Sequence, residues 1–164
     1  MKTFRITIAA PVAVLAALVL VAGTAVAGTT VKKLPFTASY KGAATTKVTD
    51  NIAAITATGA GTGTFVGKSK VTGLGAGDTS QQPCVPFTGT GALSGIGTKL
   101  TFKVSPGSSA CGDEKGEIFA ISGHITVLKG TGKLAKAKGT LKMTGTYNHT
   151  SGAFSVKLFG TLTA

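Results

Sequence analysis

The side chains that could carry chemistry are few in this sequence of 164 residues. His124 and His149 are the only bases of the usual kind, and a hydrolase would combine one of them with a nucleophile and an orienting acid. His149 stands in a run of turn-type residues, and His124 shares one strand face with Ser122 and Thr126, so both patterns indicate solvated or hydrogen-bonded imidazoles. No G-x-S-x-G nucleophile elbow occurs. The sequence therefore assigns no catalytic residue.

Carboxylates are also scarce. Asp113, Glu114 and Glu117 stand close together in one loop-type segment, whereas a glycosidase needs two carboxylates that flank the scissile bond. Their number and spacing also fall short of a calcium loop. We expect neither a metal site nor a cofactor.

The two cysteines, Cys84 and Cys111, are isolated from each other in the sequence. In an oxidising compartment two such cysteines are expected to form one disulfide. The alternatives are a pair of metal ligands or a redox pair, but neither a C-x-x-C spacing nor a nearby His supports them. We predict that the bond pins the loop-type segment 105–116 to the loop that contains Cys84.

Lysines form the strongest cluster of charge. Lys129, Lys133, Lys136, Lys138 and Lys142 fall within 14 residues, and we call these five the lysine strip. The strip is either an anion-binding surface or a solvated connection that keeps the protein soluble. After residue 27 the chain has 15 Lys, no Arg and five acids, a formal charge of +10. Without Arg forks for bidentate contacts, and with only two Tyr and no Trp for base stacking, sequence-specific nucleic-acid binding is not expected.

The first 27 residues predict export. Lys2 and Arg5 precede an apolar run over 6–21, and Ala25-Val26-Ala27 has the small-residue pattern of a signal-peptidase site. The alternative is an uncleaved N-terminal anchor, which would be the chain's only contact with a membrane. We therefore predict a signal peptide over 1–27, a single domain over 28–164, and a location outside the cytoplasm, either secreted or in the cell envelope.

Composition and periodicity predict an all-β domain. Residues 28–164 include 24 Thr, which suits a pleated surface, and 23 Gly, which supplies turns. Alternation is clearest at 140–147 and 153–162, which flank a turn-type run and predict a hairpin. Further strands are predicted near 34–40, 50–58, 62–73, 86–94, 100–105 and 121–127. About eight strands favour a closed antiparallel barrel, with a β-sandwich as the alternative.

The alternation also predicts which residues face inward. Because side chains on a strand alternate between two faces, a slip of one residue would bury the wrong face. Thr140, Lys142 and Lys157 are expected outside. Inward glycines such as Gly145 and Gly160 either leave a ligand cavity or mark bends where the barrel closes. The predicted core is Leu100, Phe102, Val104, Ile121, Ile125, Leu141, Met143, Phe154, Val156, Leu158 and Leu162.

The segment from Ile121 to Gly139 resembles the allene oxide cyclase and dirigent barrels. The residues that carry this likeness are Lys129-Gly130-Thr131-Gly132 and the following run to Gly139, against a family pattern of approximately I-x-G-G-T-G-x-F-x-G-A-x-G. Lys129 and Lys136 replace glycines of that pattern. The chain is also similar to secreted bacterial proteins with Thr/Gly-rich strands. The resemblance implies an eight-stranded antiparallel barrel of the calycin type, and it transfers no catalytic residue.

These observations favour a non-enzymatic binding or envelope-associated protein. The expected partners are either anionic cell-envelope polymers, held weakly by the lysine strip, or a small apolar ligand inside the barrel. The alternative from another class is a cyclase-like enzyme on a dirigent-type barrel.

Overall fold

Strands account for 97 of the 134 residues that the structure, a computed structural model, describes, which are residues 31–164. The predicted signal peptide lies outside the described residues. A single 3-10 turn, Gly132–Leu134, lies between the seventh and eighth strands. In chain order the strands are β1 Lys33–Thr49, β2 Ile52–Gly63, β3 Gly67–Asp78, β4 Cys84–Gly95, β5 Thr98–Val104, β6 Ser109–Gly112, β7 Ile118–Gly130, β8 Thr140–Asn148 and β9 Ala153–Thr163.

The strands close into an antiparallel barrel. Each strand pairs with its neighbours in the order β3-β2-β1-β9-β8-β7-β5-β4, and a β3–β4 pairing completes the circle. The β1–β9 pairing, which joins the ends of the domain, runs from Lys33 opposite Thr163 to Ala43 opposite Ala153. Closure leaves these eight strands without free edges. The predicted closed barrel of about eight strands is confirmed, and a ninth strand is present in addition.

The ninth strand, β6, continues the line of β5. Both strands pair with β4 on one side and β7 on the other. The break between them is the turn over 105–108, where Pro106 has no amide hydrogen and Gly107 has a positive φ of 83°. The hydroxyl of Ser108 closes the gap, because it donates to the carbonyl of Ser105 (2.8 Å) and accepts from the amide of His124 (3.2 Å).

The two ends of the barrel differ. The connection from β7 to β8 covers one end, which we call the sealed end. Thr131 in this connection bonds to Lys99 on β5, and Lys138 bonds to Thr163 on β9, while Leu134 between them is fully buried. The chain enters β1 at this end. The opposite end, which we call the open end, carries the β1–β2, β3–β4, β6–β7 and β8–β9 turns.

The predicted register is confirmed. Leu100, Ile125, Leu141 and Leu162 have no exposed surface, and Phe102, Met143 and Leu158 are also buried. Thr140, Lys142 and Lys157 are exposed, as expected. Four predicted core residues, Val104, Ile121, Phe154 and Val156, are only partly buried, although they pack against the core. The sequence did not identify the inward set on β1, which includes Leu34, Phe36 and Tyr40.

Some predicted strand bounds were wrong. Asp50, predicted to begin a strand, forms a tight turn with Asn51, and both have positive φ (48° and 64°), as a two-residue hairpin turn requires. The predicted strand over 62–73 contains the β2–β3 turn, where Phe65 has a φ of 67°. The predicted loop over 105–116 contains β6. Cys84 and Cys111 therefore lie on paired strands rather than in loops.

Candidate functional site

A cavity of about 190 Å³ occupies the open half of the barrel interior. It reaches solvent at the open end, which is why the inward residues Ile121, Phe154 and Val156 are only partly buried. All nine strands contribute to its wall, which consists of Ala44, Thr46, Ile55, Ala57, Val71, Thr72, Gly73, Leu74, Gly75, Phe87, Thr90, Phe102, Val104, Ala110, Ile121, Met143, Tyr147, Phe154, Val156 and Leu158.

The cavity exists because several inward positions toward the open end hold alanine or glycine. Inward positions near the sealed end hold large residues such as Phe36, Tyr40 and Leu100, which have 1% exposure or less. The cavity wall instead includes Ala44, Ala57, Gly73, Gly75 and Ala110. The barrel circumference is fixed by its strand number, so replacing large side chains by small ones leaves space.

Gly73 faces this space most directly. A Cβ atom added to Gly73 would have one heavy atom within 4 Å, the carbonyl oxygen of Thr90 at 3.7 Å. By contrast, a Cβ on Gly145 would overlap the carbonyl oxygen of Ser155, and Gly160 has a positive φ of 153°. The two glycines that the sequence suggested as cavity markers therefore mark close strand approach and a backbone bend. Neither lines the cavity.

Two hydroxyl groups provide the polar element of the wall. The hydroxyls of Thr46 and Tyr147 lie 3.1 Å apart and form a hydrogen bond between β1 and β8. Thr72 and Thr90 also border the cavity, but they are exposed and alternate with inward residues on their strands. Among the lining residues Tyr147 alone has an ionisable side chain. The wall is thus hydrocarbon with one hydroxyl pair.

Aromatic rings surround Tyr147 at the open end. Its ring centroid lies 6.3 Å from that of Phe119 and 6.3 Å from that of His149, and the last two rings are also 6.3 Å apart. These distances are typical of favourable aromatic pairs. His149 is exposed in the β8–β9 turn, as the sequence predicted, but it packs on this aromatic cluster. The sequence analysis missed Thr46, Phe119 and Tyr147, since each is a common strand residue.

A second hydroxyl pair is buried in the core. The Tyr40 hydroxyl and the Ser69 hydroxyl are 2.8 Å apart, and Ser69 donates to the carbonyl of Gly67 (3.1 Å). Because the Ser69 hydrogen is used in this way, Tyr40 is the donor of the pair. Burial raises the pKa of Tyr40 above its ordinary value, and the hydrogen bond with Ser69 lowers it by less. The pair satisfies two polar groups and joins β1 to β3.

The remaining candidates for chemistry are apart from one another. His124 is exposed on β7, opposite Lys142 on β8. The five acids, Asp50, Asp78, Asp113, Glu114 and Glu117, lie in turns or strand ends at the open end. Asp78 is held in its turn because it accepts bonds from the hydroxyl (2.6 Å) and amide (3.0 Å) of Ser80, which lower its pKa. Within residues 31–164 no three His, Cys, Asp or Glu side chains are placed to hold a metal ion.

The lysine strip lies at the sealed end. Lys129 is near the end of β7, Lys133 is in the 3-10 turn, and Lys142 is near the start of β8. Lys136 and Lys138 are in the connection, and all five are exposed. The ammonium group of Lys142 lies 5.8 Å from the ring centre of Phe159, within cation–π range. The structure thus brings the five residues to one end, and their role in anion binding stays a prediction.

The predicted disulfide is confirmed. Cys84 and Cys111 are directly opposite on β4 and β6, with 3.9 Å between their Cα atoms. The bond fastens β6 to β4 at the open end, beside Ala110 in the cavity wall. It therefore holds the interrupted part of the barrel wall in place.

The described part of the chain has no helix long and apolar enough to cross a membrane. Comparisons with protein-family models, with curated proteins and with solved structures find no match to this chain.

Proposed function

We propose that this protein binds a small, mainly apolar molecule in the open end of its barrel. The observation that carries the proposal is the cavity of about 190 Å³, whose wall is hydrocarbon except for one hydroxyl pair. Ligand sites are typically concave and apolar with a few placed polar groups, and barrel mouths are among their common locations. A secreted barrel of the calycin type, as the sequence suggested, suits this role.

The cavity volume limits the size of the buried part of the ligand. An engineered apolar cavity of about 150 Å³ holds benzene, which has six non-hydrogen atoms. By the same ratio a cavity of 190 Å³ holds about eight non-hydrogen atoms. A longer molecule would extend through the open end, past the rings of Phe119 and His149. A hydroxyl or carbonyl group on the ligand can bond to Thr46 or Tyr147, which fixes its orientation.

Binding, rather than turnover, fits the residues at the cavity. Proton transfer in catalysis needs a base or acid within hydrogen-bond reach of the substrate. The wall offers the phenol of Tyr147 and no carboxylate, imidazole or amine. The cyclase-like alternative would therefore depend on the Tyr147 phenol as its one acid or base in the cavity wall.

Titration calorimetry with p-cresol, which has eight non-hydrogen atoms and one hydroxyl, tests the proposal. We expect saturable binding that changes little between 50 and 500 mM salt, because hydrophobic contact is not screened. Toluene should bind more weakly, since it has no group that can form a hydrogen bond with the hydroxyl pair. Tyr147→Phe should reduce this preference for p-cresol. Absence of binding by either compound, or affinity that falls steeply with salt, would contradict the proposal.

A further inference from the structure

Charge is divided between the two ends of the barrel. At the sealed end the lysine strip is joined by Lys32 just before β1, Lys33 on β1, Lys68 and Lys70 on β3, and Lys99 on β5. We call these ten exposed residues the lysine ring; together they are ten of the 15 lysines in residues 31–164. All five acids of the sequence lie at the open end. The sealed end is therefore the one strongly cationic surface of the described barrel.

The lysine ring surrounds the end and does not line a groove. Its members come from β1, β3, β5, β7, β8 and the β7–β8 connection, which are spread around the circumference of the barrel. A linear polyanion is best held by a row of cations along a groove. Cations around a rim suit a broad, flat anionic surface.

Apolar side chains project from the same end. Ile96 occupies the tip of the two-residue β4–β5 turn and is 98% exposed. Val31 and Leu128 are also more than half exposed at this end. Turn tips usually carry small or polar residues, so a fully exposed Ile at a turn tip indicates contact with another surface. Lysines beside exposed apolar residues are the combination that binds an anionic membrane interface.

Val48 and Ile52, at the open end, are about half exposed as well. The five acids accompany them, and an anionic surface repels these acids. Charge therefore selects the sealed end as the membrane side.

From these observations we propose that the sealed end docks on the surface of an anionic lipid bilayer. The lysine ring contacts the headgroups, Ile96 enters the interface, and the open cavity faces away from the membrane. Such docking does not require an occupied cavity. It would place a barrel that binds apolar molecules next to lipid without inserting a strand.

The test uses vesicles with 30% phosphatidylglycerol and vesicles of phosphatidylcholine alone. Each variant is expressed from the full chain and purified in the form that the host releases, so that its N-terminus is the same throughout. The first variant changes Lys133, Lys136 and Lys138 to Gln. Each lysine near an anionic surface contributes about a fivefold gain in partitioning, so we expect about a hundredfold loss.

A matched control removes the same charge away from the sealed end, by changing Lys41, Lys47 and Lys115 to Gln. These residues are exposed; Lys41 is near the middle of β1, Lys47 is near the open end of β1, and Lys115 is in the β6–β7 turn at the open end. Lys41 is eight residues from Lys33, which is roughly 20 Å along the axis of a tilted barrel and beyond the screening length of about 10 Å. The control should lose no more than a few fold.

Ile96→Ser tests the apolar contact, with Ile52→Ser as its control at the open end. We expect about a tenfold loss for Ile96→Ser, from the value of a buried Ile side chain, and no change for Ile52→Ser. Equal losses in the two lysine triples would overturn the proposal, since they would show a response to net charge alone. So would binding to polyphosphate or DNA without binding to the anionic vesicles, which would assign the sealed end to polymers.

Discussion

Replacing Gly73 by Leu tests the cavity at the position where the structure leaves it emptiest. A Cβ there meets only the Thr90 carbonyl oxygen within 4 Å, at an ordinary contact distance of 3.7 Å. The φ of Gly73 is not positive, so a larger residue fits the backbone. The leucine side chain would then occupy the space that we assign to the ligand.

The expected change in stability is a gain. Burying a leucine side chain contributes about 1.5–3 kcal/mol, and removing a glycine from a strand contributes roughly 0.5–1 kcal/mol. Ordering the new side chain costs about 0.5–1 kcal/mol. The free energy of unfolding should therefore rise by about 1–3 kcal/mol, which raises Tm by roughly 4–10 °C for a domain of this size.

The ligand affinity should change in the opposite direction. Gly73→Leu should weaken p-cresol binding at least tenfold in calorimetry, while thermal unfolding shows the higher Tm. Thr58→Leu adds similar bulk to an exposed position on the adjacent strand β2, outside the cavity wall, and is the control, for which we expect unchanged p-cresol affinity. A lower Tm for Gly73→Leu, or p-cresol affinity equal to that of the wild type, would refute the reasoning.

Three further predictions concern the rest of the chain. Changing Cys84 and Cys111 together to Ser should lower the free energy of unfolding by about 3–4 kcal/mol, because the disulfide closes a loop of about 28 residues. Urea denaturation measures this change, and an unchanged urea midpoint would contradict the prediction. Tyr40→Phe should cost about 1 kcal/mol at pH 7, since one buried hydrogen bond is lost. Burial raises the pKa of Tyr40 in the folded state, so the contribution of its hydroxyl to stability is complete below pH 10 and is lost as the pH rises through the folded pKa. The urea midpoints of the wild type and Tyr40→Phe should therefore converge above pH 10. A difference between the two midpoints that stays constant up to pH 11.5 would exclude this linkage. Finally, the intact mass of the exported protein should match a chain cleaved after Ala27, and recovery of the full-length chain only from membranes would favour the anchor instead.

The fold could be predicted from the sequence because one physical rule, the alternation of side chains along a strand, determines most of it. Period-two alternation from Leu141 to Leu162 fixes which face is buried, and the closed barrel follows from the number of strands. The positions of some turns could not be predicted from the sequence. Phe65 adopts a positive φ that its residue type does not suggest, so the alternation was extended across a turn.

The candidate site was harder to predict because it depends on packing between distant segments. Gly73 and Gly145 look alike in the sequence, yet one faces empty space and the other contacts a neighbouring strand. The Thr46–Tyr147 hydroxyl pair joins residues 101 positions apart, and no local pattern specifies it. The lysine strip was visible as a cluster, but its extension to Lys33 and Lys68 depends on barrel closure.

A crystal structure of the protein soaked with p-cresol tests the central proposal most directly. We predict density for one p-cresol molecule inside the open end, in contact with Gly73 and Phe154, with its hydroxyl within hydrogen-bond distance of Thr46 or Tyr147. Ordered water filling the cavity, or p-cresol found only on the outer surface of the barrel, would contradict it.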